Sequence, residues 1–180
     1  MSDKYQNIYR TQTARASWHN YDGGIYFITI CTQDMIHYFG EIENHKMKLS
    51  LIGEWAQKCW ESIPNHFPHV KTPLYVVMPN HIHGILVIND PHIDSKTISS
   101  NRPHNEFGPQ SKNLAAVIRG FKIGVTKFAK QSGYTFKWQA RFYDHVIRNL
   151  DDWNRIATYI ENNVGQWDLD KLNTGSSHAT

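Results

Sequence analysis

Apolar and polar residues along the chain form the short runs typical of strands and the three- and four-residue steps typical of helices. Residues 24–32 are dense in β-branched and aromatic side chains and predict a buried strand. Residues 75–78 and 83–88 predict two further strands, joined through Pro79-Asn80. Both faces of the run over residues 83–88 are apolar beyond the histidines, so we expect it in the middle of a sheet.

The same pattern of apolar and polar residues predicts three helices and a hairpin. Ser50 is an N-cap candidate for a helix over residues 51–63, and a hairpin over residues 39–49 precedes it. Residues 114–130 place apolar side chains on one side and basic ones on the other. A last helix begins near residue 149 and runs to about 164. These elements predict an α+β sandwich in which an antiparallel sheet has helices packed on one face.

The length of 180 residues and a hydrophobic fraction of 40% fit one domain. We expect a polar N-terminal arm over residues 1–20, the domain over 21–170 and a flexible tail over 171–180. Residues 89–113 are polar and predict a long loop within the domain. No apolar run approaches the roughly 20 residues of a membrane span, and the N-terminus lacks a secretory signal. The expected location is therefore the cytoplasm, without membrane association.

Charge is concentrated in one part of the chain. Residues 112–148 carry eight Lys or Arg side chains against one acidic residue, Asp144. Such a stretch indicates a surface for a polyanion, and a solvated basic face is the alternative.

Two histidines stand where they could hold a metal ion. His81 and His83 flank Ile82, and alternate side chains of an extended segment point the same way. Both imidazoles could therefore bind one divalent ion while Ile82 enters the core. The alternative is a chance pair among eleven histidines. Polar rings at the start of a central apolar strand are poorly placed unless something binds them.

A tyrosine and an amide are paired on the predicted last helix. Tyr159 and Asn163 are four residues apart, along one edge of its apolar stripe, so both could face one point beside the sheet. The alternative is a tyrosine at the edge of the core with an exposed amide. Tyr134 and Tyr143 are rival nucleophiles, ranked lower because neither has a ligand-type side chain at helical spacing.

Several motifs in this order resemble one enzyme family. Residues 79–84, Pro-Asn-His-Ile-His-Gly, resemble the histidine-hydrophobe-histidine (HUH) signature of single-tyrosine transposases, and residues 159–162 resemble their catalytic-tyrosine helix. Residues 26–32, 78–81 and 138–148 resemble the REP-associated tyrosine transposases in particular. The resemblance covers most of residues 24–166.

The resemblance implies a ferredoxin-like fold and metal-dependent cleavage and strand transfer of single-stranded DNA beside a hairpin, through a transient 5′-phosphotyrosine. It implies that Tyr159 is the nucleophile and that His81 and His83 are metal ligands. Asn163 corresponds to the third ligand, where better-known insertion-sequence enzymes carry Gln. The expected cofactor is Mg²⁺ or Mn²⁺, which neutralises charge on the scissile phosphate, with Zn²⁺ as an alternative.

The expected partner is single-stranded or hairpin DNA of the REP type, bound by a monomer, with a dimer as the alternative. Two rival functions stay open: a hairpin-binding protein that does not cut, and a hydrolase that uses a metal-bound water instead of Tyr159. Basic side chains would contact the DNA backbone, and Trp138 would stack on unpaired bases. The DNA-binding candidates are Arg119, Lys122, Lys130, Trp138, Arg141, His145 and Arg148.

Overall fold

A computed structural model describes residues 23–88 and 113–173 of the chain. The expected arm over residues 1–20, most of the loop over 89–113 and the tail beyond residue 173 lie outside the described residues. The strands are β1 (Gly24–Cys31), β2 (Gly40–Glu43), β3 (Lys46–Leu49), β4 (Val70–Val77), β5 (His81–Ile88) and β6 (Tyr143–Val146). The helices are α1 (Leu51–Glu61), α2 (Ile63–His66), α3 (Leu114–Gln131) and α4 (Leu150–Asn162).

Four strands form one antiparallel sheet in the order β4-β5-β1-β6, and β2 and β3 form a separate hairpin. Leaving aside that hairpin, the short α2 and the final α4, the chain runs strand, helix, strand, strand, helix, strand, which is the ferredoxin-like arrangement. The prediction of an antiparallel α+β sandwich is confirmed. The central position predicted for β5 is also confirmed, because β5 lies between β4 and β1.

The helices occupy both faces of this sheet. The larger core joins one face of β1 and β5, including Tyr26 and Leu86, to α1 and α3. The smaller core joins the other face, including Phe27 and Ile85, to Ile156 of α4. The expectation that the helices share one face is therefore wrong for α4. The physical reason is that β1 and β5 carry apolar side chains on both faces, so both faces must be packed against helices.

Capping side chains fix where the helices begin. Ser50, Asn113 and Asn149 each accept a hydrogen bond from a backbone N–H in the first turn of the helix that follows. The prediction for Ser50 is confirmed. The first helix ends at Glu61, two residues earlier than expected, and Pro64 lies in the first turn of the short α2, where its missing N–H costs nothing.

Gly84 shows how closely the helix layer approaches β5. A Cβ atom at this position would lie 2.2 Å from Cζ2 of Trp60, which is fully buried on α1. Only glycine leaves room for the indole there. This contact therefore packs α1 directly against β5, the strand that carries both histidines. None of the helices within the described ranges is long and apolar enough to cross a bilayer.

Candidate active site

The two histidines lie side by side at the start of β5, on the face covered by α4. His81 pairs with Cys31 of β1 and His83 with Thr29. Both imidazoles are buried, and their ring centroids are 4.4 Å apart. Ile82 points the opposite way, into the larger core. Strand alternation thus brings the two rings together as the sequence predicted.

Each imidazole is held through its Nδ1 atom. His81 Nδ1 lies 2.7 Å from Oδ1 of Asn80, and His83 Nδ1 lies 2.8 Å from Oγ1 of Thr29. The amide nitrogen of Asn80 donates to two backbone carbonyls, so its oxygen is the atom that accepts from His81. Nδ1 of His81 therefore carries the proton, and Nε2 presents a lone pair, which is the form that binds metal.

Burial keeps both rings neutral. It lowers the pKa of His81 to about 3, and His37 adds to this effect. Burial also lowers the pKa of His83 well below its usual value, with a further contribution from His81, while Asp170 and a hydrogen bond with the Ile28 backbone act in the opposite direction. Neutral imidazole is the ligand form, so the site is ready for a cation without first losing protons.

A carboxylate from the end of the described chain joins the histidines. One ligand atom each from His81, His83 and Asp170 lies within 4.8 Å of the others, and Asp170 Oδ2 is 3.9 Å from Nε2 of His81. Asp170 follows a short 3-10 helix, Trp167–Leu169. Asp170 is not predicted as a ligand from the sequence, because its segment is short and lacks the periodicity that would place its side chain relative to β5.

Three buried polar atoms in this site or beside Tyr159 have no hydrogen-bond partner among the described residues. They are Nε2 of His81, Oδ1 of Asn163 and Oδ2 of Asp170. A buried polar group left unsatisfied costs about 1–3 kcal/mol, so these three atoms indicate a ligand-binding site. An imidazole nitrogen, an amide oxygen and a carboxylate oxygen suit Mg²⁺, Mn²⁺ or Zn²⁺, and the residues present fit such an ion.

Tyr159 lies at the open side of the site. Its hydroxyl oxygen is 3.1 Å from Nε2 of His83, and its ring packs edge-on against Phe27. The side chain is 42% exposed, so an external molecule can reach it. Burial raises the pKa of Tyr159 and the charge of Asp170 raises it further, while a hydrogen bond with Asn163 acts in the opposite direction. The phenol is therefore protonated at neutral pH.

The rival tyrosines are placed differently. Tyr134 follows α3, and Tyr143 lies on β6 opposite Thr29 of β1. The ring of Tyr143 meets Phe27 edge-on, with 6.3 Å between the ring centroids, so it borders the site.

The predicted DNA contacts fall into two groups. Lys122 donates from Nζ to the Gln139 and Arg141 carbonyls and lies 5.5 Å from the Trp138 ring centroid. Trp138 in turn donates to the Lys122 carbonyl and packs against the larger core. His145 lies 2.7 Å from a carboxylate oxygen of Asp152. These three side chains have internal partners. The candidates whose side chains are exposed are Arg119, Lys130, Arg141 and Arg148.

Known proteins resemble the chain in sequence and in fold. An uncharacterized protein of Haemophilus influenzae is 36% identical over 181 residues, which cover 96% of this chain and 98% of that protein. A solved REP-associated tyrosine transposase bound to a REP hairpin aligns with a TM-score of 0.53 and 19% identity, covering 83% of this chain and 71% of that one. A solved Deinococcus radiodurans protein aligns with a TM-score of 0.40. No protein-family model matches the chain.

Proposed function

The chain belongs to the family of the Haemophilus influenzae protein and has the fold of a REP-associated tyrosine transposase, and from this premise we propose that it cuts and rejoins single-stranded DNA beside a hairpin. The observation that carries the proposal is the accessible Tyr159 hydroxyl beside His83, next to three unpartnered polar atoms that suit a cation. A nucleophile and a metal centre in one place suit phosphodiester chemistry.

In this proposal His81, His83 and Asn163 hold a divalent ion, and Asp170 is an additional ligand. A bound Mg²⁺ or Mn²⁺ would neutralise charge on the non-bridging oxygens of the scissile phosphate. The Tyr159 hydroxyl lies within hydrogen-bond distance of Nε2 of His83, so it must move away from this nitrogen when His83 binds the ion. The same event would free the phenol for attack.

The covalent step is a transesterification. The Tyr159 oxygen forms a bond to phosphorus and loses its proton to water, while the bond from phosphorus to the 3′ oxygen breaks. The leaving 3′ oxygen takes a proton from water, and the 5′ phosphate stays linked to the tyrosine. Attack by the 3′ hydroxyl of another strand reverses the step and joins the two DNA ends. Phenolate is a good enough leaving group for this reversal.

Hairpin DNA is the proposed substrate because the solved transposase is bound to a REP hairpin. The side chains of Arg119, Lys130, Arg141 and Arg148 are the proposed contacts to its phosphates, because they are exposed to solvent. The nucleophile and the proposed ligands belong to one chain, which supports action as a monomer.

The test is a search for a covalent protein–DNA adduct on a denaturing gel. Wild type would be incubated with single-stranded hairpin DNA from the flanks of its own gene, with Mg²⁺, with Mn²⁺ and with EDTA. We expect an adduct only with metal, none from Tyr159→Phe, and full yield from Tyr134→Phe. Tyr134 is a matched control because it is 44% exposed, close to the value for Tyr159.

The other outcomes identify the rival functions. Cleavage that persists in Tyr159→Phe would indicate a metal-activated water as the nucleophile. Hairpin binding without cleavage under every condition would indicate a DNA-binding protein that does not cut. Either result would overturn the proposal.

A further inference from the structure

Asn80 lies fully buried in the turn between β4 and β5, at the centre of a hydrogen-bond network. Its amide oxygen accepts from Nδ1 of His81 at 2.7 Å. Its amide nitrogen donates to the Met35 carbonyl at 3.1 Å and to the Leu172 carbonyl at 2.8 Å. One side chain therefore joins a proposed metal ligand to two distant segments of the chain.

The segment that contains Leu172 is a small unit with its own internal bonds. Asp170 Oδ1 accepts from the Leu172 N–H at 2.9 Å, and the Asn173 amide donates to the Trp167 carbonyl at 3.1 Å. Trp167 is buried, and its ring lies 6.1 Å from that of His81. We name residues 167–173 the C-terminal clasp.

The clasp brings one carboxylate oxygen of Asp170 into the site. Its Oδ1 atom is used within the clasp, which leaves Oδ2 buried and unpartnered, 3.9 Å from Nε2 of His81. Without a cation this arrangement buries a carboxylate whose Oδ2 atom has no hydrogen bond, which opposes docking of the clasp. A divalent cation between the histidines would reverse that effect.

We propose that Asn80 is a positioning residue that links docking of the C-terminal clasp to metal binding at His81, so that the clasp and the cation stabilise each other. The inference rests on the metal centre of the proposed function and is independent of whether the protein cuts DNA. Since linkage is reciprocal, metal must favour the docked clasp by the same factor by which the docked clasp favours metal.

Two measurements on the full-length chain test the link. Isothermal titration with Mn²⁺ gives the metal affinity, and hydrogen–deuterium exchange with and without Mn²⁺ gives the protection of amides in residues 167–173. In wild type we expect Mn²⁺ to slow exchange in the clasp. Asn80→Ala should weaken Mn²⁺ binding by about 10–100-fold, the usual effect of losing a partner behind a metal ligand.

A control and a second variant separate positioning from simple loss of stability. Asn65→Ala removes an exposed asparagine from α2 and should leave both measurements unchanged. Asp170→Ala keeps Asn80 and removes the carboxylate, so we expect weaker Mn²⁺ binding and no metal-dependent protection of the clasp. This variant also serves if Asn80→Ala does not fold. The double variant should lose less affinity than the product of the two single losses.

The results that overturn the inference differ from those that overturn the proposed function. Mn²⁺ binding that leaves exchange in residues 167–173 unchanged would disprove the link and leave the metal centre intact. Independent, multiplicative effects of Asn80→Ala and Asp170→Ala would also disprove it. Absence of Mn²⁺ binding by wild type would overturn the inference together with the metal centre, whereas loss of cleavage alone would leave the inference standing.

Discussion

The two faces of the central sheet are built from the same strands and serve different purposes. Toward α1 and α3, β5 presents Ile82 and Leu86, which are fully buried in the larger core. Toward α4, it presents His81 and His83 before its apolar residues resume with Ile85. The named residues of β5 are deeply buried on both faces. The larger core leaves Nε1 of Trp60 without a partner among the described residues, whereas the face of α4 leaves an imidazole nitrogen and a carboxylate oxygen unpartnered within 3.9 Å of each other. Such unsatisfied atoms mark a binding site better than exposure does.

Neighbouring residues of β5 give the strongest test of this comparison. His81→Ala should reduce Mn²⁺ affinity and adduct yield by at least about 100-fold, because losing even a partner behind a ligand usually costs 10–100-fold. Ile82→Ala should instead destabilise the fold by about 2–5 kcal/mol and retain the adduct yield per folded molecule. Urea denaturation in EDTA and the denaturing gel measure the two effects separately. Equal losses of stability and of activity in both variants would contradict the division between the faces.

The division between the faces could be predicted from the sequence, but only in part. Alternation along β5 correctly separates Ile82 from its neighbouring histidines, because every second side chain of a strand shares a face. The position of Asp170 could not be predicted, since it depends on long-range contacts of the C-terminal clasp. Helical periodicity gives the direction of Lys122 from α3, but it does not reveal that the chain at Gln139 passes over this side chain and accepts its hydrogen bond.

Gly84 tests how tightly the face covered by α1 and α3 is packed. Gly84→Ala should destabilise the protein by about 1–3 kcal/mol, because the added Cβ would lie 2.2 Å from the Trp60 ring. Urea denaturation measures the loss. Trp60→Phe shortens the aromatic side chain, so the double variant should be more stable than the sum of the single losses predicts. Gly165→Ala is the control, since its nearest contact of 3.6 Å leaves room for a methyl group. Additive losses would show that the indole does not limit this position.

The exposed arginines and lysines test whether bound DNA stays on the face of α4. Arg148 lies between β6 and α4, whereas Arg119 and Lys130 lie on α3, across the sheet. Each phosphate contact removed should make the plot of log affinity against log salt less steep, by about 0.9 in slope. We expect that decrease for Arg148→Gln, and a smaller one for Arg119→Gln and Lys130→Gln.

Fluorescence anisotropy with a labelled hairpin, measured from about 50 to about 200 mM KCl, would give these slopes. The measurements belong in a Tyr159→Phe background so that no adduct forms. Lys58→Gln on α1 is the control, because it removes an exposed positive charge outside the basic stretch. Equal decreases for Arg148→Gln and for the two α3 variants would mean that DNA extends around the edge strand β6 onto α3.

Lys122 gives the smallest expected effect and shows where the basic stretch becomes part of the fold. Burial lowers its pKa to about 8, while Cys31 acts in the opposite direction. Between about pH 8 and the usual lysine pKa, the unfolded chain binds more protons at this position than the folded chain does. Stability from this group should therefore rise with pH across that window.

Urea midpoints of wild type and Lys122→Met at pH 7 and pH 9.5 would isolate the contribution, with wild type gaining relative to the variant at the higher pH. Lys127→Met removes an exposed charge from the same helix and is the matched control. A difference between wild type and Lys122→Met that does not change with pH would mean that the ammonium stays hydrated, and Lys122 would then return to the set of DNA contacts.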